Sequence, residues 1–429
     1  MNTYLLKNIN IYDGEASSDI VNCDIYIENG IIKEIGKITN KNVKTIDMKG
    51  KYAIPGLINL HVHLPASGKI SKTPVAEKKK LIKKITSNSL MRGIGINLCA
   101  KYAKMELKSG VTTIRTVGGI ADFDTILRDK INAGKKIGPR ILASNTAIGV
   151  VNGHMDGTVA KAILNNEEGI QMIKALKAEN VDLIKLMITG GILDSKERGK
   201  IGLLKMPADM VKCLCDEAHK EGLRVAAHVE GSEGVKVAIE NGVDTIEHGA
   251  PVDNPIILKL KNENKAYVAT FSPAIPLSFL NPASLGYSED VSYNSKVLLD
   301  GMVEFTNKCL ENKIAVGLGT DTGCPLVTHY DMWRELCYFK KYANVTNKYA
   351  IHTATFVNAK IAGVLNDTGS ISVGKSADLL IIDQNPLNDL KVLRNPKLVI
   401  YKGKIIKEHN KKYSKIENQL DLVLNSLLK

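Results

Sequence analysis

The chain has 429 residues and a mass of 46.7 kDa, with 44% hydrophobic and 24% charged residues and 35 Gly against 13 Pro, which excludes disordered and collagen-like polypeptides. Lys and Arg outnumber Asp and Glu by 58 to 45, a net +13 that could attract anionic partners. The densest basic run, Lys69, Lys72, Lys78, Lys79, Lys80, Lys83 and Lys84, has no Arg and no interleaved aromatics, so it reads as a solvated helix face and not as a nucleic-acid groove.

In chain order, Tyr4 to Tyr12, Asp24 to Glu28 and Ile31 to Ile35 alternate as short strands, with a hairpin turn at Asn29-Gly30. Then Val- and Ile-rich runs alternate with helix-length amphipathic segments, the pattern of parallel βα units. The eight strand candidates are Leu57 to His61, Val111 to Thr116, Arg140 to Thr146, Asp182 to Ile188, Arg224 to Val229, Asp244 to Glu247, Ala266 to Phe271 and Ile314 to Gly319. Helices are expected over Glu167 to Glu179, Pro207 to Glu221 and Gly231 to Asn241. Two long connections, Leu64 to Gly110 and Ser272 to Asn294, exceed the minimal unit and are placed to cover the barrel mouth.

Strands return at Ala377 to Asp383, Leu398 to Lys402 and Lys404 to Lys407, with a turn at Gly403. The fold class is therefore α/β, a (β/α)8 TIM barrel with a small β-sandwich domain formed from the N- and C-terminal segments. The expected divisions are 1–52 and 369–410 for the β-sandwich, 53–368 for the barrel and 411–429 for a C-terminal helix. In that helix Tyr413, Ile416, Leu420, Val423 and Leu427 recur at helical spacing and are expected to pack on this chain or on a sister subunit of a homo-oligomer. Seven scattered Cys without a CxxC pair exclude a disulfide framework or a zinc ribbon; Cys213 and Cys215 read as small packing residues. With no leader pattern after Met1 and no membrane-length apolar run, the expectation is a cytoplasmic protein.

His61 and His63 form a His-x-His pair at a strand end, where the period of two puts both rings on one face. Alone the pair is only suggestive. At or beside the carboxyl ends of other strand candidates stand Lys185, His228, His248 and Asp321, and in a barrel those ends converge on one face, so four His, one Lys and one Asp make a metal site. A lysine in an apolar strand is costly as an ammonium, and stranger still beside cations. The contradiction resolves if Lys185 is neutral enough, through burial, to take up carbon dioxide as a carbamate that bridges two metals.

With Pro55-Gly56-Leu57-Ile58-Asn59-Leu60-His61-Val62-His63, Ile184-Lys185, Ala227-His228, Glu247-His248-Gly249, Gly319-Thr320-Asp321 and Gly374-Lys375-Ser376-Ala377-Asp378-Leu379, the chain resembles the amidohydrolase superfamily, in its two-metal branch with a carboxylated lysine. The resemblance implies that His61, His63 and Asp321 hold one divalent ion, that His228 and His248 hold the other, and that N6-carboxylated Lys185 bridges them. The mixed imidazole and carboxylate donors suit zinc, manganese, iron or nickel alike, with zinc as the default. It implies a shared hydroxide as nucleophile, with Asp321 as general base and then acid.

Within the superfamily the chain looks most like the imidazolonepropionase-related group that includes Xaa-Pro dipeptidases and arginine or lysine carboxypeptidases. This rests on Gly153-His154-Met155-Asp156, Thr189-Gly190-Gly191 and His228-Val229-Glu230-Gly231. His154 and His329 then look like substrate contacts. In the loop from Ser195 to Lys205, with Lys196, Lys200 and Lys205, Arg198 is the best donor for a substrate carboxylate, but solvated loop charge is the preferred reading because nothing in the sequence fixes the direction of these side chains. His219, His352 and His409 read as structural. Two departures mark the substrate pocket: Arg115 is followed by Thr116 where the group has an acidic residue, and Thr270-Phe271-Ser272 has no Tyr where related peptidases bind the substrate's end. The leading expectation is hydrolysis of the amide of a dipeptide or N-acyl amino acid. The alternatives are a cyclic amide, as in an imidazolone or hydantoin ring, and a lactone or phosphotriester. A deaminase or a non-catalytic scaffold on the same barrel fits less well.

Overall fold

The computed structural model describes residues 2–39, 41–71, 73–195, 197–406, 410 and 412–428. Lys72, Lys196, Lys407 and His409, named above, lie outside the described residues, as does Lys411 at the start of the tail.

The two ends of the chain build one mixed sheet. Its order runs Lys404–Ile406, Leu398–Tyr401, Leu379–Ile382, Tyr52–Pro55, Tyr4–Ile11, Val21–Glu28 and Ile31–Gly36, with Thr45–Asp47 pairing alongside Tyr4–Ile11. Leu6, Ile9, Ile11, Ile25, Ile27, Ile32, Leu379 and Ile381 pack into one core, as period-two alternation requires of a sheet with one buried face. The two hairpin turns meet: Asn29-Gly30 and Lys402-Gly403 both take positive φ, and a Cβ on Gly30 would sit 2.5 Å from the Lys402 carbonyl oxygen. Only glycine allows that approach, which ties the first hairpin to the last.

The barrel strands are β1 (Leu57–Val62), β2 (Val111–Thr116), β3 (Arg140–Leu142), β4 (Leu183–Met187), β5 (Arg224–Val229), β6 (Thr245–His248), β7 (Ala266–Ala269) and β8 (Ala315–Leu318). Ladders join β1 to β3 and β4 to β8, all parallel. The ring closes on one side where Val62 bridges Thr322 and Asp321 N–H donates to the His61 carbonyl at 2.9 Å. On the other, Asp182 N–H donates to the Ala143 carbonyl at 2.8 Å.

β3 stops short of the expected Thr146. Asn145 turns left-handed at φ 55°, and its side chain accepts from Thr125 N–H and donates to the Thr125 hydroxyl. The chain then adds a parallel pair not foreseen from sequence, Ala147–Val150 and Ala160–Ile163, the first of which pairs with β4 at Leu186. The turn between them carries His154.

The long first connection forms helices Val75–Ile85 and Ser89–Lys108, and no residue of Val75–Ile85 is buried, as expected for a solvated basic face. The second long connection forms Phe271–Phe279, Pro282–Leu285 and Glu289–Glu311. The tail helix Ser414–Leu427 docks on this chain: Ile416 and Leu420 pack with Leu277, Leu285 and Leu326, while the buried Arg334 pairs with Glu417 and with Asp421 at 2.6 Å. Among the described residues no helix is long and apolar enough to cross a membrane.

Candidate metal centre

The carboxyl ends of the barrel strands gather four imidazoles. Ring centroids lie 5.3 Å apart for His61 and His63, 4.8 Å for His61 and His248, and 4.6 Å for His228 and His248. His61 lies on β1 and His63 directly follows its end, two residues on and with its ring 5.3 Å from that of His61, and the closure of β8 against β1 brings in Asp321. Asp321 Oδ1 is 3.2 Å from His63 Nε2 and 3.5 Å from His61 Nε2. The approach needs Gly319, where a Cβ would meet that of His61 at 2.4 Å. Asp321 and His248 both adopt left-handed backbone, φ 57° and 70°, a costly conformation that clusters at working sites.

Each of three histidines has its Nδ1 committed elsewhere. His61 Nδ1 meets Glu247 Oε2 at 2.9 Å, His63 Nδ1 meets the Gly118 carbonyl at 2.9 Å, and His248 Nδ1 meets Thr270 Oγ1 at 2.7 Å. With N–H at Nδ1, the free lone pair is at Nε2, the arrangement that metal-ligating histidines use. Arg115 explains its own unusual place: it donates to the Leu60 carbonyl at 2.8 Å, to the Thr245 hydroxyl at 3.1 Å and to Glu247 Oε1 at 2.7 Å. Glu247 is thus gripped from both sides.

Residues 52–406 match the amidohydrolase family. The chain belongs to that family. It is 33% identical to a Bifidobacterium longum protein assigned as a prolidase, over 98% of both chains with a TM-score of 0.86. It is 28% identical to a Xaa-Pro dipeptidase whose structure holds methionine in the active site, over 95% of this chain and 100% of that one, with a TM-score of 0.82. The ochratoxinase of Aspergillus niger is 25% identical over 327 residues, 69% of this chain but only 65% of the ochratoxinase's own length. As a member of the amidohydrolase family the protein is a hydrolase, with its barrel and terminal β domain in the family's arrangement.

In this amidohydrolase Lys185 sits in mid-β4, 1% exposed, and its Nζ has no hydrogen-bond partner. Burial pushes its ammonium down to about 8, against the attraction of Glu247 and with the help of Arg115. His228 Nε2 and Asp321 Oδ1 are likewise buried without a partner. Burial opposes ionisation of Asp321, but His61, His63 and His248 outweigh it and hold the carboxyl well below its usual range. Burial and neighbouring cations push His61 down to about 4 and hold His228 and His248 well below the ordinary imidazole value, so these three rings are neutral donors. Unpartnered neutral nitrogens, a carboxylate and a desolvated amine form a donor set that fits divalent cations.

Two clusters offer ligand atoms within 4.8 Å of one another, His61 with His63 and Asp321, and His228 with Glu230 and His248. Glu230 was not among the sequence candidates. It is buried, with Oε1 4.0 Å from His228 Nε2 and Oε2 unpartnered, and burial together with Asp321 and Asp194 raises its carboxyl well above the usual range. The signal for it was present: His228-Val229-Glu230 has the same i, i+2 spacing as His61-Val62-His63.

His154 lies against the centre, its ring stacked on His228 at 4.0 Å, with Nδ1 2.5 Å from Asp194 Oδ2. Asp194 also accepts from Gly191 N–H at 2.8 Å, and it is a partner that sequence reading missed. The other two suggested substrate contacts are engaged elsewhere. His329 is fully buried, with Nε2 2.7 Å from the Ala66 carbonyl, Nδ1 3.3 Å from Glu106, and its face stacked on Tyr102, so neither nitrogen is free for a ligand. Arg198 lies over the Tyr293 ring at 4.2 Å and 3.9 Å from Asp290, held on the outer helix Glu289–Glu311 by local attraction. His219 pairs with Asp244 at 2.9 Å and His352 with the Gly14 carbonyl at 2.8 Å, both away from the centre.

Proposed function

We propose that the protein is a metal-dependent amidohydrolase that cleaves the carbon–nitrogen bond of a dipeptide or N-acyl amino acid. The observation that carries this reading is the fully buried, unpartnered Lys185 Nζ among His61, His63, His228, His248 and Asp321. His61, His63 and Asp321 would hold one ion and His228 and His248 the other, with carboxylated Lys185 shared between them. Two divalent ions, zinc by default, supply Lewis acidity for a substrate carbonyl and acidify a water at neutral pH.

The protein's own groups supply the rest. His154, held at Nδ1 by Asp194 and stacked on His228, stands beside the centre as a contact for the substrate. Asp321 takes the proton of the attacking water on the carboxylate oxygen that does not face His61 and His63, then delivers it to the departing nitrogen. Glu247 and Arg115 stay outside the reaction and fix the rings.

The likeness to a Xaa-Pro dipeptidase at 28% identity supports a linear amide over a ring. A short match to a dihydroorotase of Trichlorobacter lovleyi, 53% identical over 66 residues, keeps cyclic-amide hydrolysis as the second reading. The deciding experiment assays protein of measured metal content against dipeptides and N-acyl amino acids in parallel with hydantoins and imidazolones. Release of a free amino acid from linear amides is expected; ring opening with linear amides left intact would transfer the assignment to the second reading.

A further inference from the structure

Helix Met332–Tyr342, which follows the loop after β8, carries a carboxylate that the proposed chemistry does not use. Glu335 is fully buried, and three donors from the start of the helix that follows β7 converge on it. Phe271 N–H donates to Oε1 at 2.8 Å, Ser272 N–H donates to Oε2 at 2.8 Å, and the Ser272 hydroxyl donates to Oε2 as well. Those two N–H groups open helix Phe271–Phe279, and the first N–H groups of a helix have no partner within it.

Of the two, the Ser272 N–H is the one that the hydroxyl oxygen of Thr270, the N-cap, would ordinarily accept from, since the next residue, Pro273, has no N–H. Thr270 makes no such bond. Its Oγ1 lies instead 2.7 Å from His248 Nδ1. Nearby, the Tyr267 hydroxyl donates to the His248 carbonyl at 2.7 Å, so β7 and its exit hold His248 at ring and backbone together. With the Ser272 N–H taken by Glu335 from another element, the Thr270 hydroxyl is not drawn toward the helix and turns to the imidazole.

We infer that Glu335 is a positioning residue for the metal centre: by capping helix Phe271–Phe279 in place of Thr270, it leaves the Thr270 oxygen free to hold His248 with Nε2 directed inward. This rests on the reading of His248 as a metal ligand. Glu335 touches neither substrate nor ligand; it acts through Thr270.

The test is a double-mutant cycle of Glu335→Gln and Thr270→Val in the full-length protein, read by Zn2+ affinity in chelator competition, by kcat and KM separately, and by thermal melting. Gln offers one acceptor where two are needed. Glu335→Gln is expected to fold, to lose about 10- to 100-fold in Zn2+ affinity, the usual effect of removing a partner behind a ligand, and to lower kcat with KM nearly unchanged. Thr270→Val should match it, and the double variant should be little worse than either, because both break one linkage. Unchanged Zn2+ affinity in Glu335→Gln, or losses that multiply in the double variant, would overturn the inference. If Glu335→Gln does not fold, Glu335→Asp, which keeps the charge but shortens the reach, should show a graded loss, and wild-type Zn2+ affinity in that variant would overturn it too. Failure of the wild-type protein to take up metal would instead defeat the reading of the centre itself.

Discussion

His61 Nδ1 and Glu247 Oε2 meet at 2.9 Å across 186 residues of chain, and both side chains are buried. Burial would raise the Glu247 carboxyl, yet Arg115, His61 and Lys185 together hold it well below the carboxylate range. Glu247→Gln is expected to keep the fold and to lower metal affinity about 10- to 100-fold, because the amide offers one oxygen where His61 and Arg115 each use their own. Glu247→Ala should also destabilise the protein by about 3–5 kcal/mol, since it leaves the Arg115 guanidinium buried and unpaired. Chelator competition and denaturant melts separate the two effects.

Lys185→Ala should keep the fold, because losing a buried amine that has no partner offsets part of the cavity left by its stem. Its activity should fall by well over the roughly hundredfold range typical of residues behind a ligand. Short carboxylic acids such as acetate or propionate are expected to restore part of it by occupying the space of the proposed carbamate. Full activity in Lys185→Ala without added acid would remove the bridging role.

His154 and Asp194 form a dyad beside the centre, not part of it. His154→Ala should lower kcat by about 10²- to 10⁴-fold while bound metal, measured by elemental analysis, stays constant. Asp194→Asn should produce a smaller loss in the same direction, since the ring is still stacked on His228 but less firmly oriented. A metal content that falls with His154→Ala would make it a ligand.

Acid should release the tail helix. Burial raises the Asp421 carboxyl, but Arg334 and Arg394 outweigh burial and hold it below its ordinary value. A depressed carboxylate contributes its full stabilisation above its unfolded value of about 4 and loses it as pH falls through the folded value. Protease cleavage at the Ser414–Leu427 helix should therefore rise steeply below about pH 4, and Asp421→Asn should show raised cleavage already at neutral pH.

The eight barrel strands and the four central histidines were legible because both follow local rules: apolar runs of strand length, and chemistry at their carboxyl ends. β2 and β5 fall where the sequence places them, whereas β3 ends early because Asn145 turns left-handed, which no hydrophobic pattern encodes. Glu247, Asp194 and Glu335 could not be ranked from sequence, since their importance lies in a partner 40 or more residues distant: Glu247 with His61, Asp194 with His154, and Glu335 with Phe271. Arg198 and His329 show the converse. Each had the right residue type in the right loop, and each found a nearer partner in Tyr293 or Glu106. Arg115 was visible only as an oddity until the structure showed its contact with Glu247.

The left-handed φ of 70° at His248 and 57° at Asp321 carries a conformational cost at two positions where the proposed chemistry needs a side chain. A backbone so arranged favours glycine, by about 1 kcal/mol or more at each position, over any side chain able to bind a cation. Selection for durability and selection for turnover therefore pull these two positions in opposite directions. In a lineage released from its substrate, they are the ligand positions where glycine would bring the largest gain in robustness, and such replacements would mark the loss of chemistry while the barrel around them persisted.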